Sequence, residues 1–255
     1  MVITDIQHGL GDQMSRYAIG KYLSLIKKDK LYIESCNISP NTRDKYYLDV
    51  FNINEPIIEQ NNKDNFMCFT EKENKWEWER ILKECQNYEN IFLSRCCFTE
   101  EYFKEIRSLL LDNFKIISPI SDRNKETLSL IDYNNSIMLH VRRGDCYTNK
   151  LHSNRALDLT EYYKKSIQYI KENIQNPYFF IFSDEPEWAK NNLNIDASHL
   201  FIDWNTTQQP YEDLRLMINC KHHIIAQSCF SWWSVWFQET PGIIIAQVSG
   251  IVQDL

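Results

Sequence analysis

The sequence predicts an α/β protein built on parallel sheets with helices on both faces. Two observations predict it. The chain opens on an apolar run, a glycine turn and a helical period, which together read as the first part of an α/β unit. From Ser136 onward, short apolar runs alternate with amphipathic stretches, and connections of that length join parallel rather than hairpin-paired strands.

Taken in order, Val2-Ile3-Thr4-Asp5-Ile6 is the first strand and His8-Gly9-Leu10-Gly11-Asp12-Gln13 the turn that follows. Met14, Tyr17, Ala18, Tyr22, Leu23 and Leu25 keep a helical period, and Leu31-Tyr32-Ile33 is the next strand. Residues 37–105 are rich in Asn, Lys and Glu, and predict only short helices and connections in no definite order. Two helix-like stretches flank Pro119, and the texture changes between residues 120 and 135. Then Ile137 to Val141 is a buried strand, and Thr160 to Asn173 is a helix stopped by Asn176-Pro177. Strands Tyr178–Phe182, His199–Ile202, His223–Ala226 and Ile243–Ala246 follow, separated by helices through Trp188, through Tyr211 to Cys220, and through Phe230 to Phe237.

Composition narrows the class of function. At 255 residues and 43% hydrophobic, the chain can bury a core of domain size. A net charge of −7 argues against a general nucleic-acid binder, so a polyanionic ligand must be held by a local basic pocket. The eight cysteines (Cys36, Cys68, Cys85, Cys96, Cys97, Cys146, Cys220 and Cys229) include no Cys-x-x-Cys pair, which argues against structural zinc. With no secretory leader pattern, they read as reduced thiols of a cytoplasmic protein. No run of apolar residues is long enough to span a bilayer.

Three segments of the second half lie where ligands bind in such sheets, beyond the carboxyl ends of strands. In His140-Val141-Arg142-Arg143-Gly144-Asp145, two adjacent arginines offer permanently charged forks suited to phosphate oxygens. Successive strand residues point to opposite faces, so one arginine is expected to meet the ligand and the other to brace the loop. An isolated Arg-Arg-Gly-Asp would equally suit a surface ion-pair turn. The second segment, Phe182-Ser183-Asp184-Glu185-Pro186, supplies a carboxylate for a guanine edge or a ribose, or merely a helix cap. Its two acids could also ligate a metal, but no Asp-x-Asp triplet occurs in the chain and a metal-free site is expected. The third segment, Ala226-Gln227-Ser228-Cys229-Phe230-Ser231, joins a strand to a helix N-terminus, where backbone donors and the macrodipole favour an anion. Trp232, Trp233 and Trp236 just beyond it are expected mostly to pack.

Together these segments resemble the α-1,2-fucosyltransferases of glycosyltransferase family 11. Gly9-Leu10-Gly11-Asp12-Gln13-Met14, with Tyr17-Ala18, is similar to that family's opening Gly-Gly-Leu-Gly-Asn-Gln-Met. The resemblance implies a GT-B-like fold, with two Rossmann-like domains facing across a cleft: residues 1–130 on the acceptor side and 131–255 holding the donor. It implies metal-independent, inverting transfer from GDP-β-L-fucose to the 2-hydroxyl of a galactose, in an oligosaccharide or glycolipid. No cofactor and no transmembrane segment are implied; peripheral membrane association would follow from a lipid-linked acceptor. Arg142 and Arg143 would hold the diphosphate; His140, Ser183, Asp184 and Asp145 would place the nucleotide; Gln227, Ser228, Cys229, Phe230 and Ser231 would form the phosphate-side turn. Gly9 and Gly11 would approach the sugar, and Asp12, Asp145 and His152 are the candidates for the base. The chain departs from the family pattern at His8 (usually Gly), Asp12 (Asn), Ser15-Arg16 (Phe-Gln), Gln227 (Asn) and Cys229 (Ser). Those departures keep two other readings open: a transferase of different specificity, and a non-catalytic sugar-nucleotide or glycan binder on the same scaffold.

Overall fold

The computed structural model describes residues 1–35, 45–59, 65–70, 78–94, 100–143, 159–239 and 242–247. The chain divides into two units, Met1–Ser118 and Pro119–Leu255. The division falls ahead of residue 130 because the helix Asp122–Tyr133 puts Ile131 into the core of the second unit, against Met138 and Phe180.

The first unit contains β1 (Val2–Asp5), α1 (Leu10–Lys27), β2 (Leu31–Glu34), β3 (Ile57–Ile58), β4 (Met67–Thr70), α2 (Trp78–Glu84), β5 (Ile91–Ser94) and α3 (Arg107–Asn113). The strands form one parallel sheet in the order β3-β2-β1-β5-β4. The central strand β1 is buried throughout, and its two polar side chains find partners there: Thr4 donates to the Arg16 carbonyl at 3.0 Å and Asp5 accepts from the Gln7 amide at 2.6 Å. Helix α1 lies so close to β1 that a Cβ on Gly20 would meet the Thr4 Cβ at 2.9 Å; glycine is required there for packing. Strands β4 and β5 arise inside the stretch from which no order was predicted. β5 pairs directly with β1, Val2 opposite Ile91.

The second unit contains α4 (Asp122–Tyr133), β6 (Asn135–Val141), α5 (Thr160–Asn173), β7 (Pro177–Ser183), α6 (Pro186–Asn192), β8 (Ser198–Ile202), α7 (Pro210–Met217), β9 (His222–Ile225), α8 (Cys229–Trp236) and β10 (Ile244–Ala246). Its sheet is also parallel, in the order β10-β9-β6-β7-β8. Strand alternation sorts its core into two layers. Ile137, Leu139 and Val141 of β6 join Phe179 and Ile181 of β7 on one face, against Tyr163, Ile167 and Ile170 of α5. Met138, Phe180 and Phe182 lie on the other, against Ile131 of α4 and Leu216 and Met217 of α7. Each such apolar side chain, fully buried, is worth about 1.5–3 kcal/mol, which is why β6 and β7 are near-continuously hydrophobic. Both units therefore have the Rossmann-like build of the expected GT-B class.

Candidate active site

In the second sheet the chain runs from β6 outward through β7 and β8, then returns to the other side of β6 with β9. The crevice between the carboxyl ends of β6 and β9 is thus the topological switch point, where open α/β sheets bind ligands. His140 and the two arginines stand at one lip of it. The turn into α8 forms the other.

Alternation separates the two arginines. Arg143 follows the α5 face: its guanidinium carbon lies 3.7 Å from the ring centroid of Trp188 on α6, and Nε donates to Glu185 Oε2 at 3.2 Å. Pinned by a ring and a carboxylate, and only 16% exposed, it braces the loop. Arg142 falls on the His140 side, is 30% exposed, and pairs through Nη1 with Asp184 Oδ2 at 3.0 Å. The other carboxylate oxygen of Asp184 accepts the Arg143 backbone N–H at 3.0 Å, so this one acid holds the Arg142 fork and the Arg143 backbone together. The Arg142 backbone N–H donates to the buried Tyr163 hydroxyl at 3.3 Å. Ser183 turns inward to accept the Glu185 N–H at 3.0 Å, which shapes the loop before α6.

His140 is 5% exposed, its ring meets Phe230 edge-on at 5.8 Å, and its Nδ1 has no hydrogen-bond partner. Burial first, and the Arg142 charge second, push its pKa down to about 3. The imidazole is therefore neutral at physiological pH, offering one donor and one acceptor at the crevice floor.

Across the crevice, Ser228 is the N-cap of α8 and its hydroxyl accepts the Phe230 N–H at 3.2 Å. Ser231 is fully buried and donates to the Ala226 carbonyl at 3.2 Å, so it sits inside the turn and sets its shape. Gln227 is exposed, while Cys229 and Phe230 are half-buried, Phe230 packing against the core layer of Met138 and Phe180. Trp233 and Trp236 are core residues and Trp232 stacks on Trp236, as the helical spacing predicts. Among the described residues no cluster of three His, Cys, Asp or Glu side chains could hold a metal. Asp184 and Glu185, the acids that could be read as metal ligands, each face an arginine instead.

In the first unit, Gly9 caps α1 without a side chain, and Gly11 is buried in its first turn beside the exposed Asp12. Ser15 and Arg16, the unusual pair, fold inward. Ser15 donates to the Gly11 carbonyl at 2.8 Å, and Arg16, 5% exposed, donates to the Asp5 carbonyl at 2.8 Å and so ties α1 to the end of β1. Asp145 and His152, with Gly144, lie outside the described residues.

Three residues hold the two turns in ways the sequence motifs do not announce: Gln13, Glu185 and Trp188. Gln13 is fully buried, donates to the carbonyls of His8 (2.8 Å) and Lys45 (2.6 Å), and accepts the Tyr47 N–H at 2.9 Å. Its signal was an amide at an otherwise core-facing helical position, which must find backbone partners. For Glu185 and Trp188 the clue was their spacing on the α6 turn, three residues apart.

Comparison with known proteins adds the lineage. An alpha-1,2-colitosyltransferase of Escherichia coli is 31% identical, over 96% of this chain and 91% of its own. The galactoside 2-alpha-L-fucosyltransferase Sec1 of Mus musculus is 22% identical, over 93% of this chain and 64% of its own. Among solved structures, the NodZ alpha-1,6-fucosyltransferase soaked with GDP-fucose shares the fold, with a TM-score of 0.56 at 13% identity over 92% of this chain and 91% of that one. The model of glycosyl transferase family 11 matches residues 3–251, and the chain, a glycosyltransferase of GT-B-like fold, belongs to that family.

Proposed function

We propose that the chain transfers L-fucose from GDP-β-L-fucose to the 2-hydroxyl of a galactose in a glycan, with inversion and without a divalent metal. The observation that carries this reading is the pairing, at one switch point, of Arg142 and neutral His140 with the N-terminus of α8. Arg142, held by Asp184, neutralises the negative charge that develops on the departing GDP, a task a metal ion performs in other transferases. The helix N-terminus supports the same anion. His140 hydrogen-bonds the nucleotide through the Nδ1 it leaves unpartnered. Displacement is in line at the anomeric carbon, and a base takes the acceptor proton. Asp12, exposed in the first turn of α1, is the candidate base among the described residues.

Colitose is the second reading, favoured by the 31% identity to a colitosyltransferase. That sugar is L-fucose without its 3-hydroxyl, so the same diphosphate chemistry serves both. A galactose on a lipid-linked glycan would bring the protein to a membrane surface, and among the described residues no helix is long and apolar enough to cross one.

A GDP-release assay decides between the donors. GDP-fucose and GDP-colitose are each offered with a panel of β-galactosides, with and without EDTA. Release with fucose that survives EDTA supports the first reading; release with colitose alone supports the second. Activity abolished by EDTA and restored by Mg²⁺ or Mn²⁺ overturns the metal-free mechanism. Release with neither donor, alongside thermal stabilisation by GDP, is the result expected of a non-catalytic binder.

A further inference from the structure

The turn between β1 and α1 inverts the usual assignment of side chains. His8 has φ 66°, in the left-handed region that favours glycine and penalises a residue with a Cβ. Gly9 has φ −73° and ψ 170°, an extended conformation open to any residue, and a Cβ placed on it would meet nothing within 4 Å. A glycine stands where the backbone does not need one, and a histidine stands where it does. Packing explains neither choice, because both residues are exposed.

The strained position is held from several sides. Gln13 Nε2 donates to the His8 carbonyl at 2.8 Å, and the Gln13 N–H donates to the Gly9 carbonyl at 3.0 Å. The Ile6 N–H donates to the Glu34 carbonyl at 2.8 Å just before the turn. Strain kept by so determined a frame, at the carboxyl end of the central strand of a parallel sheet, is the pattern of a residue retained for its side chain.

We propose that His8 is a substrate-positioning residue: its imidazole hydrogen-bonds a hydroxyl of a sugar substrate, and the bare Gly9 gives that sugar room to approach the α1 N-terminus. This rests on the reading of the substrates as sugars, and goes beyond it by assigning a specificity residue. The imidazole narrows a subsite that a glycine would leave wide, and makes it polar.

His8→Gly separates strain from function, because the two reasons for keeping histidine predict opposite results. Relief of the left-handed strain leaves the melting temperature unchanged or higher. Loss of one substrate hydrogen bond raises KM for one sugar substrate about tenfold. His8→Asn tolerates the same backbone and restores part of the affinity through its amide. KM is read separately for donor and acceptor in GDP release, with whichever pair the wild type turns over, so the arm that moves identifies the sugar. Wild-type KM for both substrates in His8→Gly overturns the proposal, and so does a marked loss of stability, because His8 would then be a structural residue. A wild-type protein inactive with every donor indicts the functional reading instead; His8 is then judged by saturation-transfer NMR with lactose and L-fucose, where loss of a wild-type signal in His8→Gly supports the role and an equal or absent signal refutes it.

Discussion

β1 enters α1 and β9 enters α8 through short turns at the switch points of two five-stranded parallel sheets, and the turns are built in contrasting ways. The second is closed by its own side chains: Ser228 caps the Phe230 N–H, and Ser231 is tucked beneath onto the Ala226 carbonyl. Fixed charge faces it from β6, with carboxylates holding both guanidinium groups. The first is open, capped by a bare glycine, strained at His8 and fastened by a buried amide from Gln13. Under the proposed function the difference suits two ligands. A diphosphate of fixed shape and charge rewards a rigid, prepaid field, whereas a neutral sugar needs room and a few well-placed hydrogen bonds.

The largest expected effect tests the charged side. Arg142→Ala should lower the rate of GDP release at least about 10²-fold, roughly 3 kcal/mol. Arg143→Ala should instead lower stability by about 1–2 kcal/mol, because it removes a guanidinium held over Trp188. Arg143→Lys should rescue poorly, since an ammonium lacks the planar fork that stacks and pairs. Rate assays and denaturant midpoints on the three variants check the split. If Arg143→Ala loses rate alone while Arg142→Ala loses stability, the two roles must be exchanged.

Legibility in the sequence followed the same divide. β6 and β7 were readable because burial on both faces makes Ile137–Val141 and Tyr178–Phe182 continuous apolar runs. Their alternation also put the two arginines on opposite faces. What the strand pattern left open was which of them would be braced, because Trp188 and Glu185 hold Arg143 through tertiary contact. In the first unit, β4 and β5 stayed hidden: each has only four residues, and their pairing with one another and with β1 is long-range. The strain at His8 was equally invisible, since a backbone angle leaves no trace in composition. Only the departure from the family's glycine marked the place.

Acid should loosen the second unit. His140 and His223 are buried neutral, with pKa values pushed down to about 3 and about 4 by desolvation. Arg142 adds to the first shift and His222 to the second, while the His223 contact with the Met217 carbonyl at 3.1 Å opposes it. Well above a pH of about 6.5 both histidines are neutral in the folded and unfolded chain, and they contribute no pH dependence. Below that the unfolded chain binds protons that the folded chain refuses, so stability falls by up to about 1.4 kcal/mol per pH unit for each. Hydrogen exchange at pH 7 and pH 5 should show β6 and β9 losing protection. Replacing His223 by Gln should flatten the decline, and an unchanged slope would remove this histidine from the account.

Capping is a smaller matter. Ser228→Ala removes the acceptor for the Phe230 N–H and should cost about 1 kcal/mol in a urea titration. Because that hydroxyl already serves its own helix, GDP affinity should change less than stability does. A variant of wild-type stability with weakened GDP binding would move Ser228 from the frame of the turn to its ligand face.

The smallest expected change in stability is the most informative about the open turn. Gly9→Ala puts a methyl group where the backbone permits it and where no atom lies within 4 Å. Alanine is a poorer N-cap than glycine, but it also has less unfolded-state entropy to lose, and the two terms offset to within a few tenths of a kcal/mol. The melting temperature should therefore barely move. A sugar that approaches the bare face must now meet the methyl, so KM for that sugar should rise while kcat for GDP release changes less. If Gly9→Ala matches the wild type in both constants, the space beside α1 is not used by a ligand, and the openness of this turn has no bearing on catalysis.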